Sequence, residues 1–498
     1  MSTATAERTS PGGTRQRGRR RSIFAAVVAS ISGLMFGWDA MALNVVKNAL
    51  VHHTHAGNGL IGFAVAFGVL TAAFGAFIAG RLSDRIGRRI IMVIAAVLFM
   101  ISSVGTVFIG DSIGLFLFWR FFSGLAMGSA MTIAPAYISE TAPADLRGTL
   151  VSLRQFMLII GLFVCGLLGD GLLAAAPAPT GDAPKSTSIL HFAGLGLEVW
   201  QWCFLSVAVG GLIYLVTSLF VPESPRYLIL AGKVEQGRAV LERMLEGSDD
   251  DVDDRVAEIQ ASVGKDEKHG FRTLLNKRRS NLQKVVWIGI GLALLQQFVG
   301  INAVFYYSTT IFKTLGFGEQ SALQQTLIVT GVKVLAIILG MILIDRVGRR
   351  PLMLFGSITM SVALIATASI MLSAPKATGA DGSVTPNLTG SPGLAALALV
   401  TMCLYVFAYA GTWGPIMWVL VGEMFPNRIR GAATSVAGGA EWMANFTVTL
   451  TFPVLAAWSI GTTYVMYAAV ALFSIFFVLK LVPETKHMEL EDMDTLAD

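Results

Sequence analysis

Apolar stretches of about 20 residues return along the whole of this chain, and that repetition restricts the fold more than any other feature. A helix rises about 1.5 Å per residue, so each stretch is long enough to cross a hydrocarbon core about 30 Å thick. Inside hydrocarbon every backbone polar group needs an internal partner, and an open sheet cannot supply one there. The 498-residue chain is 54% hydrophobic and only 14% charged, with a mean hydropathy of +0.66, and reads as an all-α membrane protein. The apolar runs centre near residues 33, 70, 100, 125, 160, 210, 298, 333, 361, 407, 444 and 471, which predicts twelve transmembrane helices. Three places are polar enough for water: the tail through Ser22, the segment 222–284, and the tail after Lys480. No small-residue cleavage site follows the first run, which is expected to stay as a helix.

The net charge of +5 raises the question of nucleic acid, and the placement of the basic residues answers it. Arg15, Arg17, Arg19, Arg20 and Arg21 precede span 1, Arg81, Arg85, Arg88 and Arg89 follow span 2, and a dense set separates spans 6 and 7. The alternate loops carry only Lys47, Lys185, Lys313 and Lys376. This is the positive-inside pattern, so both termini and the central loop are expected in the cytoplasm and no nucleic-acid patch is needed. Cys165, Cys203 and Cys403 fall inside apolar runs without paired spacing, which predicts small core residues rather than a disulfide or metal site. The sequence shows no nucleophile–base pair and no phosphate loop, so neither an enzyme nor a cofactor is expected.

The two halves of the chain repeat each other. GRLSDRIGRR (80–89) returns as GMILIDRVGRR (340–350), SETAPADLRG (139–148) as GEMFPNRIRG (422–431), and VPESPR (221–226) as VPETK (482–486). The second pair keeps a carboxylate seven residues before an arginine, Glu140 with Arg147 and Glu423 with Arg430. Three matches in the same order predict two pseudo-symmetric six-helix halves, residues 23–221 and 285–481, of the kind that pack around a site near the midplane. Residues 1–22 and 482–498 are then cytoplasmic tails. The linker 222–284 has helical apolar spacing in GRAVLERMLEG and DVDDRVAEIQASV, which predicts short amphipathic helices on the cytoplasmic face. The segments 174–188 and 373–393 read as small, polar loops on the other side.

DRIGRR and DRVGRR, Arg120 with Gly124 and Gly128 in the pattern R-x3-G-x3-G, PESPR, QQFVGIN, GPIMW and the terminal VPETK together resemble the sugar porter family of the major facilitator superfamily, over residues 23 to 491. The combination is specific, whereas the DRxGRR turn alone marks only the superfamily. The resemblance implies alternating access for a monosaccharide or polyol. It also implies that Asp84, Arg85, Arg88, Arg89, Glu140 and Arg147, repeated as Asp345, Arg346, Arg349, Arg350, Glu423 and Arg430, form gating networks that lock one state. A network that biases two states by a few kcal/mol is enough for this, although a single exposed pair is worth only about 0–1 kcal/mol.

Asp39 is the only charge in ISGLMFGWDAMALNVV, roughly 27 Å along span 1 from Arg21. Arg120 lies roughly 13 Å into span 4 from Asp111, at a comparable depth, so the two are candidates to pair. Intramembrane charges are costly and functional by default. In family members that are proton symporters an aspartate and an arginine occupy these positions, so the resemblance implies a proton as the coupling ion. Val207 stands where the bacterial xylose/proton symporter carries a further glutamate, so that member of a relay is missing.

The resemblance carries Gln155, Gln296, Gln297, Asn302 and Trp418 onto sugar-contacting positions, places Trp442 next to the pocket, and makes Tyr306 and Tyr307 an outer gate. Amides both donate and accept, as ring hydroxyls do, and an aromatic face covers the apolar side of a sugar. Glutamines at consecutive positions also join helices, so one of the pair 296/297 has that competing explanation. Two departures stand out: Lys333 replaces a frequent asparagine in span 8, and Glu441 replaces a frequent glutamine in span 11. They lie roughly 18 and 15 Å from the cytoplasmic ends, and unlike charges at similar depth are expected to neutralise each other. Direct contact with an unusual ligand and a part in proton coupling are the competing readings.

The expectation is a plasma-membrane secondary transporter, functional as a monomer, whose partners are a hexose or pentose, a proton and the lipid bilayer. The alternatives are a facilitative uniporter of a sugar or polyol, a symporter for a charged sugar or organic acid held by Lys333 and Glu441, and a non-transporting sugar sensor.

Overall fold

The computed structural model describes residues 11–484 except 56, 144–145, 180–182, 193, 245–251, 263–273, 275–281, 379–383, 389 and 426–428. The expectations for the tail before residue 11, for most of 263–281, and for the tail from residue 485 lie outside the described residues. Helices α1 (Pro11–Thr54), α2 (Asn58–Ile86), α3 (Arg88–Val107), α4 (Ile113–Thr141), α5 (Arg147–Ala175) and α6 (Val199–Phe220) form the first bundle. Three short helices follow, α7 (Pro225–Leu230), α8 (Val234–Met244) and α9 (Val252–Ser262). The second bundle comprises α10 (Lys284–Phe298), α11 (Ile301–Thr314), α12 (Glu319–Val347), α13 (Arg349–Ser373), α14 (Pro392–Gly411), α15 (Trp413–Met424) and α16 (Arg430–Leu481).

Among the described residues, eleven helical segments are long and apolar enough to cross a membrane. The last of them, 50 residues long, bends at Ser459, where φ is −165° and ψ is 108°, and so accounts for two crossings. Twelve spans result. Two are not continuous: span 7 breaks between Phe298 and Ile301 at Gly300 (φ 87°), and span 10 breaks at Thr412 (φ −130°, ψ −82°). A broken helix frees backbone groups that lipid cannot satisfy, and protein must supply the partners. Here the Tyr405 hydroxyl donates to the Val299 carbonyl at 2.9 Å.

Small residues set the packing distances, since van der Waals fit takes over where water no longer drives association. At Gly128 of α4 an added Cβ would lie 1.8 Å from the Ala72 carbonyl of α2, so only glycine permits that approach. Inside the first bundle α1 packs on α5, α2 on α4 and α3 on α6, while α13 packs on α14 and α16 in the second. The bundles meet along α2 with α16, α5 with α12, and α1 with α11.

Residues 11–22, expected as part of a basic tail, are helical and continue into α1. The segment 373–393, expected as a loop, contains a two-stranded hairpin of β3 (Lys376–Thr378) and β4 (Val384–Pro386), and a second hairpin, β1 (Ile189–Phe192) with β2 (Leu195–Glu198), follows the segment 174–188. The linker helices appear as expected, with Ile229, Leu241, Val252 and Ile259 in one small apolar cluster. Ser22 ties them to the bundle by donating to the Met244 carbonyl at 3.0 Å.

Candidate functional site

The breaks in spans 7 and 10 bring polar side chains of the second bundle together. Gln296, 2% exposed, donates to the carbonyls of Trp413 and Gly414 at 3.1 and 3.2 Å, so it holds α10 to the start of α15. Its neighbour Gln297 points elsewhere, because consecutive helical side chains diverge by about 100°. Gln297 donates to the Glu441 carboxylate at 3.0 Å and accepts from the Asn302 amide, forming one chain of acceptors and donors across α10, α11 and α16. Of the two glutamines, then, one joins helices and the other belongs to a side-chain network. Trp418 is 38% exposed on α15, whereas Gln155 on α5 and Trp442 on α16 are half-buried. Trp413, fully buried, anchors α15 by donating its indole N–H to Ser357 Oγ at 3.0 Å.

The expected Lys333–Glu441 ion pair is not formed. The Lys333 ammonium lies 4.5 Å from the centroid of the Phe305 ring, and among the described residues no carboxylate pairs with it. It borders a small cavity of about 30 Å³, lined also by Met41, Leu162, Ser308, Thr330 and Val406. Equal depth along two helices does not fix the direction in which each side chain leaves its axis. Glu441 turns instead to Gln297.

Asp39 and Arg120 do meet. Arg120 Nη1 lies 2.7 Å from Asp39 Oδ2, and each residue is 1% exposed. Ser123 completes the group, accepting from Arg120 at 3.1 Å and donating to Asp39 Oδ1 at 3.1 Å. Arg120 Nε keeps no partner although it is buried. Desolvating two ions is repaid only when their geometry is good and their remaining lone pairs are satisfied, which Ser123 does for the carboxylate. Val207 is buried on α6 without a polar group to offer.

At the arginine-rich ends each bundle builds the same turn. Gly87 (φ 101°) and Gly348 (φ 108°) adopt a conformation that other residues rarely take. Glu223 then accepts from the backbone N–H of Arg88 and Arg89 at 2.8 and 3.0 Å, and Glu484 accepts from Arg349 and Arg350 at 3.1 and 3.0 Å. Each carboxylate caps a helix start whose N–H groups would otherwise be orphaned. Arg88 pairs with Asp84 at 2.7 Å and with Glu140 at 3.2 Å, and Arg349 pairs with Glu423 at 2.9 Å. Arg89 and Arg350 donate to the carbonyls of Leu219 and Leu479. Arg85 gives its carbonyl to the Tyr227 hydroxyl, and Arg346 is exposed. These ion pairs join elements within one bundle. The side chains of Arg147, Asp345 and Arg430 lie outside the described residues.

The opposite ends of the bundles are sealed against each other. Asn44 donates to the Phe305 carbonyl at 2.8 Å, Thr309 donates to the Asn44 carbonyl at 3.0 Å, and Asn48 donates to Glu319 at 2.9 Å. Tyr306 and Tyr307 are both buried there, and α11 kinks at Tyr307, whose hydroxyl donates to the Thr449 carbonyl at 3.0 Å. Lys47 corrects the expectation of a loop lysine. It lies inside α1, 4% exposed, with its ammonium 3.9 Å from the centroid of the Tyr307 ring and 2.8 Å from Thr310 Oγ1.

Sequence reasoning therefore missed Glu223 and Glu484 as caps, Lys47 as a seal, and Arg154 of α5. Arg154 was visible as a charge inside an apolar run; it donates to Met131 Sδ at 2.9 Å.

Comparison with known proteins fits this geometry. A family model described as Sugar (and other) transporter matches residues 25–497. A glucose transport protein of Synechocystis sp. is 42% identical over 467 residues, covering 94% of this chain and 95% of the relative. The D-xylose-proton symporter of Escherichia coli K12 is 34% identical over 502 residues, covering 94% of each. Among solved structures, the xylose transporter XylE from E. coli in an inward open conformation aligns with a TM-score of 0.76 at 30% identity, over 96% of this chain and 100% of that one. The same proton:xylose symporter bound to 6-bromo-6-deoxy-D-glucose aligns with a TM-score of 0.75 at 32% identity, over 96% of this chain and 100% of that one. The chain belongs to the sugar porter family of the major facilitator superfamily, a family of multi-pass membrane sugar transporters and not of enzymes.

Proposed function

We propose that this protein carries a monosaccharide, a hexose or pentose, across the plasma membrane by alternating access with a proton as its coupling ion, both termini lying on the cytoplasmic side. The observation that carries the coupling is the Asp39–Arg120 pair, fully buried in otherwise apolar spans at 2.7 Å. An ionised Asp39 binds α1 to α4. Protonation removes the carboxylate charge, weakens that bond and releases α1, which is hydrogen-bonded to α11 through Asn44, little more than one turn beyond Asp39. A proton taken up at Asp39 is thus linked to the seal between the bundles. Tyr306, Tyr307 and Lys47 form that seal, and the arginine turns with Asp84, Glu140, Asp345 and Glu423 govern the cytoplasmic ends.

Gln155, Gln297, Asn302 and Glu441 offer the sugar donors and acceptors, Trp418 and Trp442 offer aromatic faces, and Gln296 holds the broken helices that present them. The inward open neighbour and the sealed Asn44–Phe305 side both support a state open to the cytoplasm. One observation favours a second reading: the Lys333 ammonium has no carboxylate partner among the described residues, which suits a sugar acid or another organic anion. Uptake into proteoliposomes with a panel of neutral sugars, polyols and a uronate, with and without a proton gradient, separates the readings. The main proposal requires accumulation of a neutral monosaccharide that a protonophore abolishes; gradient-independent equilibration would make the protein a uniporter.

A further inference from the structure

We infer that the segment joining α5 to α6 and the first turns of α12 form a polar clasp, keyed on Glu319, that holds the sealed ends of the two bundles together and sets how often they part. The inference rests on the alternating access proposed above and assigns a gating role to Ser186, Lys185 and Glu319.

Glu319 is the first residue of α12, and its carboxylate collects donors from the first bundle. Ser186, fully buried, donates to it through its hydroxyl at 2.8 Å and its backbone N–H at 3.2 Å, and Asn48 of α1 donates at 2.9 Å. Next along α12, Gln320 Oε1 stands 3.5 Å from Lys185 Nζ, and one turn further Gln324 donates to Asp170 of α5 at 3.3 Å. The ion pairs at the arginine turns stay within one bundle, whereas these bonds cross between the two.

Beyond Ser186 the joining segment is fastened to the first bundle. Ser188 accepts from the Val199 N–H at the start of α6 at 3.1 Å, and Leu190 of β1 accepts from the Trp202 indole at 3.0 Å. Glu198, at the end of β2, lies 2.8 Å from His53 Nε2 of α1. A segment fastened in this way moves with the first bundle, so parting the bundles has to break its bonds to Glu319. Next to the clasp the contact is apolar. A Cβ added at Gly166 or Gly169 of α5 would lie 2.6 Å from Leu327 Cδ2 or 3.5 Å from Leu323 Cδ2 of α12, so two glycines receive two leucines one helical turn apart. Van der Waals fit holds α12 against α5, and hydrogen bonds to a carboxylate, stronger than neutral ones, fix the closed arrangement. An acidic residue in the first turn of a helix also favours the helix dipole. Glu319 acting in that way alone would change the melting temperature and not the balance between closed and parted ends.

The experiment measures spin–spin distances between nitroxides at Leu195→Cys and Lys376→Cys, both exposed on the hairpins of the two bundles. The purified full-length protein carries Cys403→Ser, and its other cysteines, Cys165 and Cys203, are buried. Glu319→Ala is expected to raise the ratio of parted to closed distances about tenfold. Ser186→Ala removes one of the bonds and should raise it about threefold. Added to Glu319→Ala, it should change nothing further, since its acceptor has gone. Glu319→Gln keeps the size and one acceptor while losing the charge, and should fall between the unchanged protein and Glu319→Ala. An unchanged distance distribution in Glu319→Gln and Ser186→Ala overturns the inference, as does full additivity of Ser186→Ala with Glu319→Ala. The distances are read without sugar, so that failure leaves the transport proposal intact. Absence of sugar movement by the unchanged protein overturns the transport proposal instead, while a distance ratio that follows Glu319 still supports the clasp.

Discussion

Replacing Asp39 by asparagine is the perturbation that reaches furthest into the proposed mechanism. The side chain keeps its size and an oxygen that can accept from Arg120 Nη1, now 2.7 Å from the carboxylate, but it loses the charge and the ability to take up a proton. Arg120 is 1% exposed and its Nε already lacks a partner, so water cannot replace the lost anion. Removing one member of a buried ion pair costs about 3–5 kcal/mol, so a lower melting temperature is expected alongside the transport defect. Coupling sets a second magnitude. One proton moving across about 100 mV releases about 2.3 kcal/mol, enough to sustain about 50-fold accumulation of a neutral solute. Asp39→Asn is expected to bring that ratio down to about one while leaving sugar exchange across the membrane measurable. The assay is radiolabelled sugar uptake into proteoliposomes under an imposed potential, with counterflow as the control for folding and substrate binding. Accumulation that persists in Asp39→Asn refutes the assignment of the proton to this pair. Loss of counterflow together with accumulation would show that the residue is needed for the fold rather than for coupling, and the comparison with Asp39→Glu, which keeps the charge, distinguishes the two.

Gln297→Ala removes the amide that joins Asn302 to Glu441, and sugar affinity should fall about 10- to 100-fold, read by tryptophan fluorescence titration; unchanged affinity removes Gln297 from the site. Lys47→Met deletes the ammonium over Tyr307 and its bond to Thr310, and should shift the conformational equilibrium by about fivefold toward opening of the sealed side. Spin–spin distances between the ends of α1 and α11 report that shift, and an unchanged distance distribution contradicts it. Because Lys333 and Glu441 do not pair, the effects of Lys333→Asn and Glu441→Gln on sugar affinity should add within about 0.5 kcal/mol in the double variant. A strong rescue in the double variant would restore the ion pair that their depths had suggested.

The spans were legible because hydrophobic run length reports directly on the bilayer, and the duplicated motifs marked the two bundles. Asp39 and Arg120 were legible for a similar reason: a charge in an apolar helix needs a partner, and depth along the axis was enough to match these two. The same reasoning failed for Lys333 and Glu441, since depth ignores the angle at which a side chain leaves its helix. Glu223 and Glu484 were seen as repeats but not as caps, because their function depends on backbone N–H groups more than 130 residues away. Lys47 was misplaced for want of a helix boundary; α1 runs on to Thr54, beyond the point where the apolar run suggested a loop. Between Gln296 and Gln297 the choice needed the break at Gly300 and the neighbouring break at Thr412, which bring carbonyls to one amide and a carboxylate to the other.

Proton movement measured together with sugar movement in one preparation tests the central claim most directly. Proteoliposomes containing the unchanged protein and an internal pH indicator, with no imposed gradient, receive sugars one at a time from outside. The account predicts that at least one neutral monosaccharide acidifies the lumen as it enters, with a fixed ratio of protons to sugar and no response in protein-free vesicles. Sugar entry without any change in luminal pH would contradict it.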